Sequence, residues 1–129
     1  MGQAAYEAAL SYAQQRTMFG QNLSDFQVTQ FKLADMAVSL DAARLLCHRA
    51  AWLRDSGQEN VIKEASYAKL FATEAASRIV NESLQIHGGA GLERGNRIES
   101  LYREVRALTI YEGTSEIQRQ TIARQLLRE

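Results

Sequence analysis

Proline is absent from the 129 residues. Its ring removes a backbone donor and clashes with the preceding turn, so no proline forces a long helix to end here. Cysteine occurs once, at Cys47. An internal disulfide is excluded, and a reducing compartment is expected. Cys47 lies in an apolar helical stretch with no evident base beside it, and so reads as a core residue rather than a nucleophile. Excess charge of either sign is missing, because 15 Lys plus Arg balance 15 Asp plus Glu. Without a basic field, nucleic acid is not an expected partner. No apolar run approaches the roughly 20 residues of a membrane span. Met1-Gly2-Gln3-Ala4 lacks a basic region leading into an apolar stretch, so no signal peptide is expected. Convincing period-2 strands, low-complexity segments and internal repeats are also missing.

What is present is a helical pattern. Hydrophobic residues make up 46% of the chain, enough for one domain with a real core. A first helix is expected from about Gln3 to Met18, with Tyr6, Ala9, Leu10 and Ala13 on one face. Residues 19–23 break it. Ser24, with Gln27 at capping-box spacing, opens a second helix that runs to about Ser56 and ends at Gly57. This helix carries two apolar stripes, Phe31, Ala34, Val38, Ala42, Leu45 and Leu33, Met36, Leu40, Ala43, Cys47, Ala50. Two stripes imply burial against more than one neighbour. A third helix begins near Asn60 and reaches about His87, with a stripe of Ile62, Ala65, Lys69, Ala72, Ala76, Ile79 and Leu84. Residues 88–91 stop it. A fourth covers about Arg97 to Leu108, and a fifth about Glu116 to Leu127. The expected fold is all-α, an antiparallel four-helix-bundle-like domain with an additional C-terminal helix.

Four segments could carry chemistry. Residues 110–118 place Glu112 between an apolar run and a glycine, just before a helix start. Ser115 and Gln118 have capping-box spacing, and Thr114 is a second N-cap candidate. The amides of that first turn suit an anionic or polar ligand group. A carboxylate backed by Thr109, Ile110 and Tyr111 can be raised toward the range of a general base. Taken alone, the commoner role of a Glu so close to a helix start is a solvated charge that complements the dipole. Gln85-Ile86-His87-Gly88-Gly89-Ala90-Gly91 could let a backbone approach a ligand closely, or could be a simple helix cap and turn. It is no Walker A loop, since no Gly-Lys-Ser/Thr follows. Arg16 suits a phosphate through its planar fork, although its commoner role is to complement a helix C-terminus. His48 and His87 lack the Glu-x-x-His partners of a di-iron site, so no metal is expected.

Together these segments are specific. Tyr-Ala-x-x-Arg-x-x-Phe-Gly from Tyr12 to Gly20, Phe26-Gln27, Gln85-Ile86-His87-Gly88-Gly89, and Tyr111-Glu112-Gly113-Thr114-Ser115-Glu116-Ile117-Gln118 occur in an order that resembles the C-terminal helical domain of acyl-CoA dehydrogenases, in the short- and medium-chain branch. The match runs from about Ala4 to the end. The resemblance implies FAD-dependent oxidation of acyl-CoA thioesters to trans-2-enoyl-CoA, with Glu112 as the base that takes the α-proton. It implies that Arg16, Thr17, Met18, Phe26, Gln27, Gln85, Ile86, His87, Gly88 and Gly89 contact the FAD of a neighbouring subunit. Thr114, Ser115 and Glu116 would contact the FAD of the same subunit. Family members often carry Gln where this chain has Glu116, and a carboxylate there would accept from ribose hydroxyls rather than donate.

It further implies a homo-oligomer, dimer or tetramer, an electron-transferring flavoprotein as electron acceptor, and a bacterial cytoplasmic or mitochondrial matrix location. Full-length members have an N-terminal helical domain and a β-domain before this region. Residues 1–129 would thus be the C-terminal domain alone, a fragment or one piece of a truncated protein, with Met1-Gly2 an artificial start. The competing expectation is a non-catalytic helical assembly module of the same ancestry.

Overall fold

Alanines at every fourth position let two helices approach closely, and the N-terminal segment uses them in that way. A computed structural model describes residues 1–128. It contains five helices, α1 (Gly2–Gln15), α2 (Gln27–Asp55), α3 (Ile62–His87), α4 (Arg97–Val105) and α5 (Ser115–Leu126). Ala5, Ala9 and Ala13 of α1 are fully buried. Gly2 continues their row, where a Cβ would stand only 3.3 Å from the Leu40 side chain.

The central element is α3, which packs on each of the other four helices. Cross-helix contacts fix the directions. Lys32 pairs with Glu82, and Arg49 with Glu64 at 3.6 Å, so α2 runs antiparallel to α3. The Ser83 hydroxyl donates to the Ala5 carbonyl at 2.8 Å, and Tyr12 stacks on His87 at 4.4 Å, so α1 runs parallel to α3. Ile79, Val80, Ile86, Ile98, Leu101 and Val105 join the α1 alanines and Met36 in one core. The architecture is the expected helical bundle with an extra C-terminal helix.

Local boundaries differ from expectation in physically clear ways. The first helix stops at Gln15, because Arg16 turns extended (φ −77°, ψ 118°). Thr17–Met18 (β1) then pairs antiparallel with Gln21–Asn22 (β2). Phe19 and Gly20, both at positive φ (51° and 81°), form the two-residue turn. That pair of angles matches the twist of a tight hairpin, and the glycine makes it affordable. The second helix starts at Gln27 rather than at a Ser24 cap. Leu23–Asp25 form a 3-10 turn, closed by the Asn22 amide donating to the Asp25 carboxylate at 3.0 Å. The fourth helix ends at Val105 and tightens into a 3-10 turn over Arg106–Thr109.

Two burial expectations are corrected. Cys47 is exposed on α2. Of the two α2 stripes, the one containing Met36 packs inward, whereas Phe31, Val38 and Leu45 are 60%, 70% and 63% exposed. A 29-residue helix has room for a second neighbour that these residues do not supply.

Candidate functional site

The first candidate region forms where α3 ends. His87 is buried, and its Nδ1 donates to the Ser83 carbonyl at 2.7 Å. A carbonyl only accepts, so this bond fixes the ring's tautomer and orientation. Gly88 follows at φ 57°, ψ −139°, a conformation that side-chain-bearing residues avoid. A Cβ built on Gly88 or Gly89 would meet nothing within 4 Å, so the backbone here faces open space. The chain recloses at Gly91, where a Cβ would stand 2.9 Å from both His87 and Leu84 side-chain atoms.

Beside this turn lies a cavity of about 520 Å³ lined by Arg16, Met18, Gln85, Ile86, His87, Gly88 and Gly89. Seven of the ten expected contacts of the neighbouring subunit's cofactor therefore share one cavity. Arg16 is exposed and makes no ion pair among the described residues, which leaves its guanidinium available for an anion. Thr17, Phe26 and Gln27 do not line the cavity. Thr17 donates to Asn22 Oδ1 at 3.2 Å across the hairpin, Phe26 caps α2 and Gln27 begins it. Tyr12, which opens the Tyr12–Gly20 motif on α1, also lines the cavity, as do Thr29 and Lys32 of α2, which stand in no motif that points to a ligand.

The second region is the turn before α5. Glu112 is exposed and adopts φ 55°, and Gly113 follows at 86°. A left-handed conformation at glutamate costs energy, and such strain clusters at functional sites. Ile110 and Tyr111 beside it are 53% and 50% exposed, so they do not enclose the carboxylate. The helix cap is Thr114, whose hydroxyl accepts from the Ile117 amide at 3.3 Å. Ser115 is not the cap. Its buried hydroxyl turns inward and donates to Glu74 Oε1 at 2.6 Å. Gln118 reaches back to the Glu112 carbonyl at 3.2 Å instead of closing a capping box with Ser115. Glu116 is exposed, and its carboxylate accepts from its own backbone amide and from the Thr114 hydroxyl. These bonds hold it below the usual glutamate range.

The two regions occupy opposite parts of α3. Lys69 reaches the Gly113 carbonyl at 2.5 Å, whereas the cavity gathers around His87, eighteen residues further on. At 1.5 Å per residue the separation along the helix is about 27 Å. One copy of the chain therefore does not bring Glu112 and the cavity together. Among the described residues, no group of three or more His, Cys, Asp or Glu side chains is placed to hold a metal. None of the helices is long and apolar enough to cross a membrane.

A family model described as "Acyl-CoA dehydrogenase, C-terminal domain" matches residues 1–127. The probable acyl-CoA dehydrogenase YngJ of Bacillus subtilis is 52% identical over 128 residues, covering 99% of this chain and 33% of that protein. The mitochondrial short-chain specific acyl-CoA dehydrogenase of Homo sapiens is 51% identical, covering 99% of this chain and 31% of that one. The structure of butyryl-CoA dehydrogenase from Megasphaera elsdenii superposes with a TM-score of 0.94 at 37% identity, covering 98% of this chain and 33% of its own. The chain spans about a third of the length of the curated relatives it matches.

Proposed function

The chain belongs to the acyl-CoA dehydrogenase family, and from that membership we propose that it supplies the catalytic base and the cofactor- and subunit-facing part of an enzyme that converts acyl-CoA thioesters to trans-2-enoyl-CoA. Glu112 is the base. The observation that carries this role is its strained left-handed backbone at an exposed turn, where nothing in the helix requires such a conformation. Its carboxylate takes the weakly acidic proton on the carbon next to the thioester carbonyl, and the C–H electron pair becomes part of the new C=C bond. FAD, when bound, would accept the hydride that leaves the neighbouring carbon. Such a base works best when substrate and surrounding walls exclude water, which raises the proton affinity of the carboxylate. In this chain the carboxylate is open, so those walls belong to other parts of the assembled enzyme.

The residues present fit the cofactor. The open Gly88-Gly89 backbone and Arg16, which makes no ion pair among the described residues, suit a phosphate-bearing ligand lying in the cavity. Gln85, Ile86, His87 and Met18 form its sides, and Thr17, Phe26 and Gln27 flank it. At the other region, Thr114 and Glu116 offer polar groups, and Glu116 as a carboxylate accepts from hydroxyls. Ser115 contributes through its backbone, because its hydroxyl is held by Glu74. The separation of about 27 Å along α3 supports two different FAD molecules contacting the two regions. That arrangement requires a homo-oligomer, dimer or tetramer. An electron-transferring flavoprotein serves as electron acceptor, and the enzyme resides in the bacterial cytoplasm or the mitochondrial matrix.

Glu112→Gln in the full-length enzyme tests the reading. Glutamine keeps shape and polarity but cannot take the proton. Flavin reduction by acyl-CoA in a single turnover is expected to fall by about 10²–10⁴-fold or more, with FAD still bound. Near-normal reduction would remove Glu112 from the chemistry. The exposed α2 stripe favours a second reading, a helical assembly module without activity. A flavin absorbance spectrum of the purified chain and of the full-length protein separates the two.

A further inference from the structure

Two consecutive residues at positive φ do not hold themselves in place. Glu112 and Gly113 stand at φ 55° and 86° on an exposed turn, so their surroundings must over-determine the conformation. The groups that do this come mainly from α3. Lys69 Nζ donates to the Gly113 carbonyl at 2.5 Å. Glu74 Oε1, five residues further along α3, accepts from the buried Ser115 hydroxyl at 2.6 Å and lies 3.8 Å from Arg119. Gln118 adds a bond to the Glu112 carbonyl at 3.2 Å. The peptide groups on both sides of Gly113 are thereby anchored, and rotation about the Glu112 backbone is restrained.

Lys69 is the unusual member. It stands in the apolar stripe of α3, where alanine, isoleucine and leucine fill the neighbouring positions. A lysine on a helix face ordinarily carries its ammonium out to water. This one is half-buried and ends on a backbone carbonyl rather than on a carboxylate. Desolvating an ammonium for a neutral acceptor is costly for stability alone. The contact makes physical sense if its return is geometric.

We propose that Lys69, with Glu74 acting through Ser115, is a positioning residue that sets the direction of the Glu112 carboxylate. The proposal rests on the reading of Glu112 as the base. Lys69 touches neither substrate nor cofactor in this account. It holds the Gly113 carbonyl, and thereby the strained turn from which Glu112 reaches the α-proton. Misplacing a reacting group by about 1 Å can cost about 10²-fold.

The test uses the full-length flavoenzyme with Lys69→Met, Lys69→Arg, Ser115→Ala and Glu112→Gln. Lys69→Met is expected to slow flavin reduction by about 10–100-fold, with KM for acyl-CoA little changed and FAD retained. The kinetic isotope effect with substrate deuterated at the α-carbon should rise, because proton abstraction becomes the slower step. Lys69→Arg, which restores a donor, should recover part of the rate. Ser115→Ala unhooks Glu74 alone and is expected to move the same readouts in the same direction by less. It decides the question by itself if Lys69→Met does not fold. A lowered melting temperature with unchanged reduction rate and isotope effect in Lys69→Met or Ser115→Ala would overturn the proposal while Glu112→Gln remained inactive. An active Glu112→Gln would instead overturn the assignment of the base, and the proposal with it.

Discussion

Replacing Glu112 by glycine should leave the fold as stable as before or more so while destroying the function, an inversion of what glycine usually does. A non-glycine residue in the left-handed region costs about 1–2 kcal/mol. Glycine adopts φ near 55° freely. Against this gain stands the entropy of the unfolded chain, about 0.5–1 kcal/mol for a glycine. Glu112 is exposed, so truncating its side chain loses little contact. The net for Glu112→Gly relative to Glu112→Gln is therefore a gain of about 0.5–1 kcal/mol. The same exchange at an unstrained position supplies the control. Gln120 is exposed inside α5, and Gln120→Gly there should cost about 0.5–1 kcal/mol. Urea unfolding followed by far-UV circular dichroism measures both. The two sites should differ by about 1–2 kcal/mol in opposite directions, and 1 kcal/mol corresponds to about 3–5 °C in melting temperature for a domain of this size. If Glu112→Gly destabilises as much as Gln120→Gly, the turn stores no strain and the reasoning fails. A stabilised but inactive variant is the signature of a residue kept for function against the preference of its backbone.

Two further outcomes follow from packing. Phe31, Val38, Leu45 and Trp52 recur every seventh residue on α2 and are all at least 60% exposed, which is the spacing of a helix–helix seam. The chain should self-associate, and Leu45→Arg should shift sedimentation equilibrium toward monomer while changing monomer stability by less than about 0.5 kcal/mol; a monomer at every concentration in the unaltered chain would refute this. Ala9 is fully buried between α1 and its neighbours, so Ala9→Leu should cost about 1–3 kcal/mol through overpacking, and a neutral result in chemical denaturation would show that α1 packs more loosely than the structure has it.

The helices were legible because their cause is local. Apolar periodicity and the glycine stops at Gly57 and Gly88 act within a few residues of the backbone they shape. Residues 16–26 were less legible because several local devices compete there. Ser24 with Gln27 offers the spacing of a capping box, but Asn22 with Asp25 closes first and moves the helix start to Gln27. A two-residue pairing such as Thr17–Met18 with Gln21–Asn22 is too short to show alternation, and only the Phe-Gly turn could have announced it. Burial on α2 could not be read at all. Periodicity shows that a face is apolar, not whether another element of the same chain exists to cover it, and the faces containing Met36 and Val38 look alike in sequence while one is buried and the other is 70% exposed.

The site divides along the same line. Gly88 and Gly113, which act through their backbone, and Thr114, which caps its own helix through its hydroxyl, were visible because glycine and cap residues carry a local meaning. Ser115 was misread for the same reason. It had the composition of a cap, but a carboxylate forty-one positions away in sequence takes its hydroxyl at 2.6 Å and leaves the capping to Thr114. Lys69 and Glu74 gave only an indirect signal, a lysine inside an apolar stripe and an acid one turn beyond it. Such a charge can be a solvated flank or a tether to something distant, and spacing alone does not separate these. What separates them is that both side chains end on one short turn, at the Gly113 carbonyl and at Ser115. On the proposed reading, the motif around Glu112 carries the group that would react, while the side chains that hold its turn come from a different helix and become readable only when the two meet.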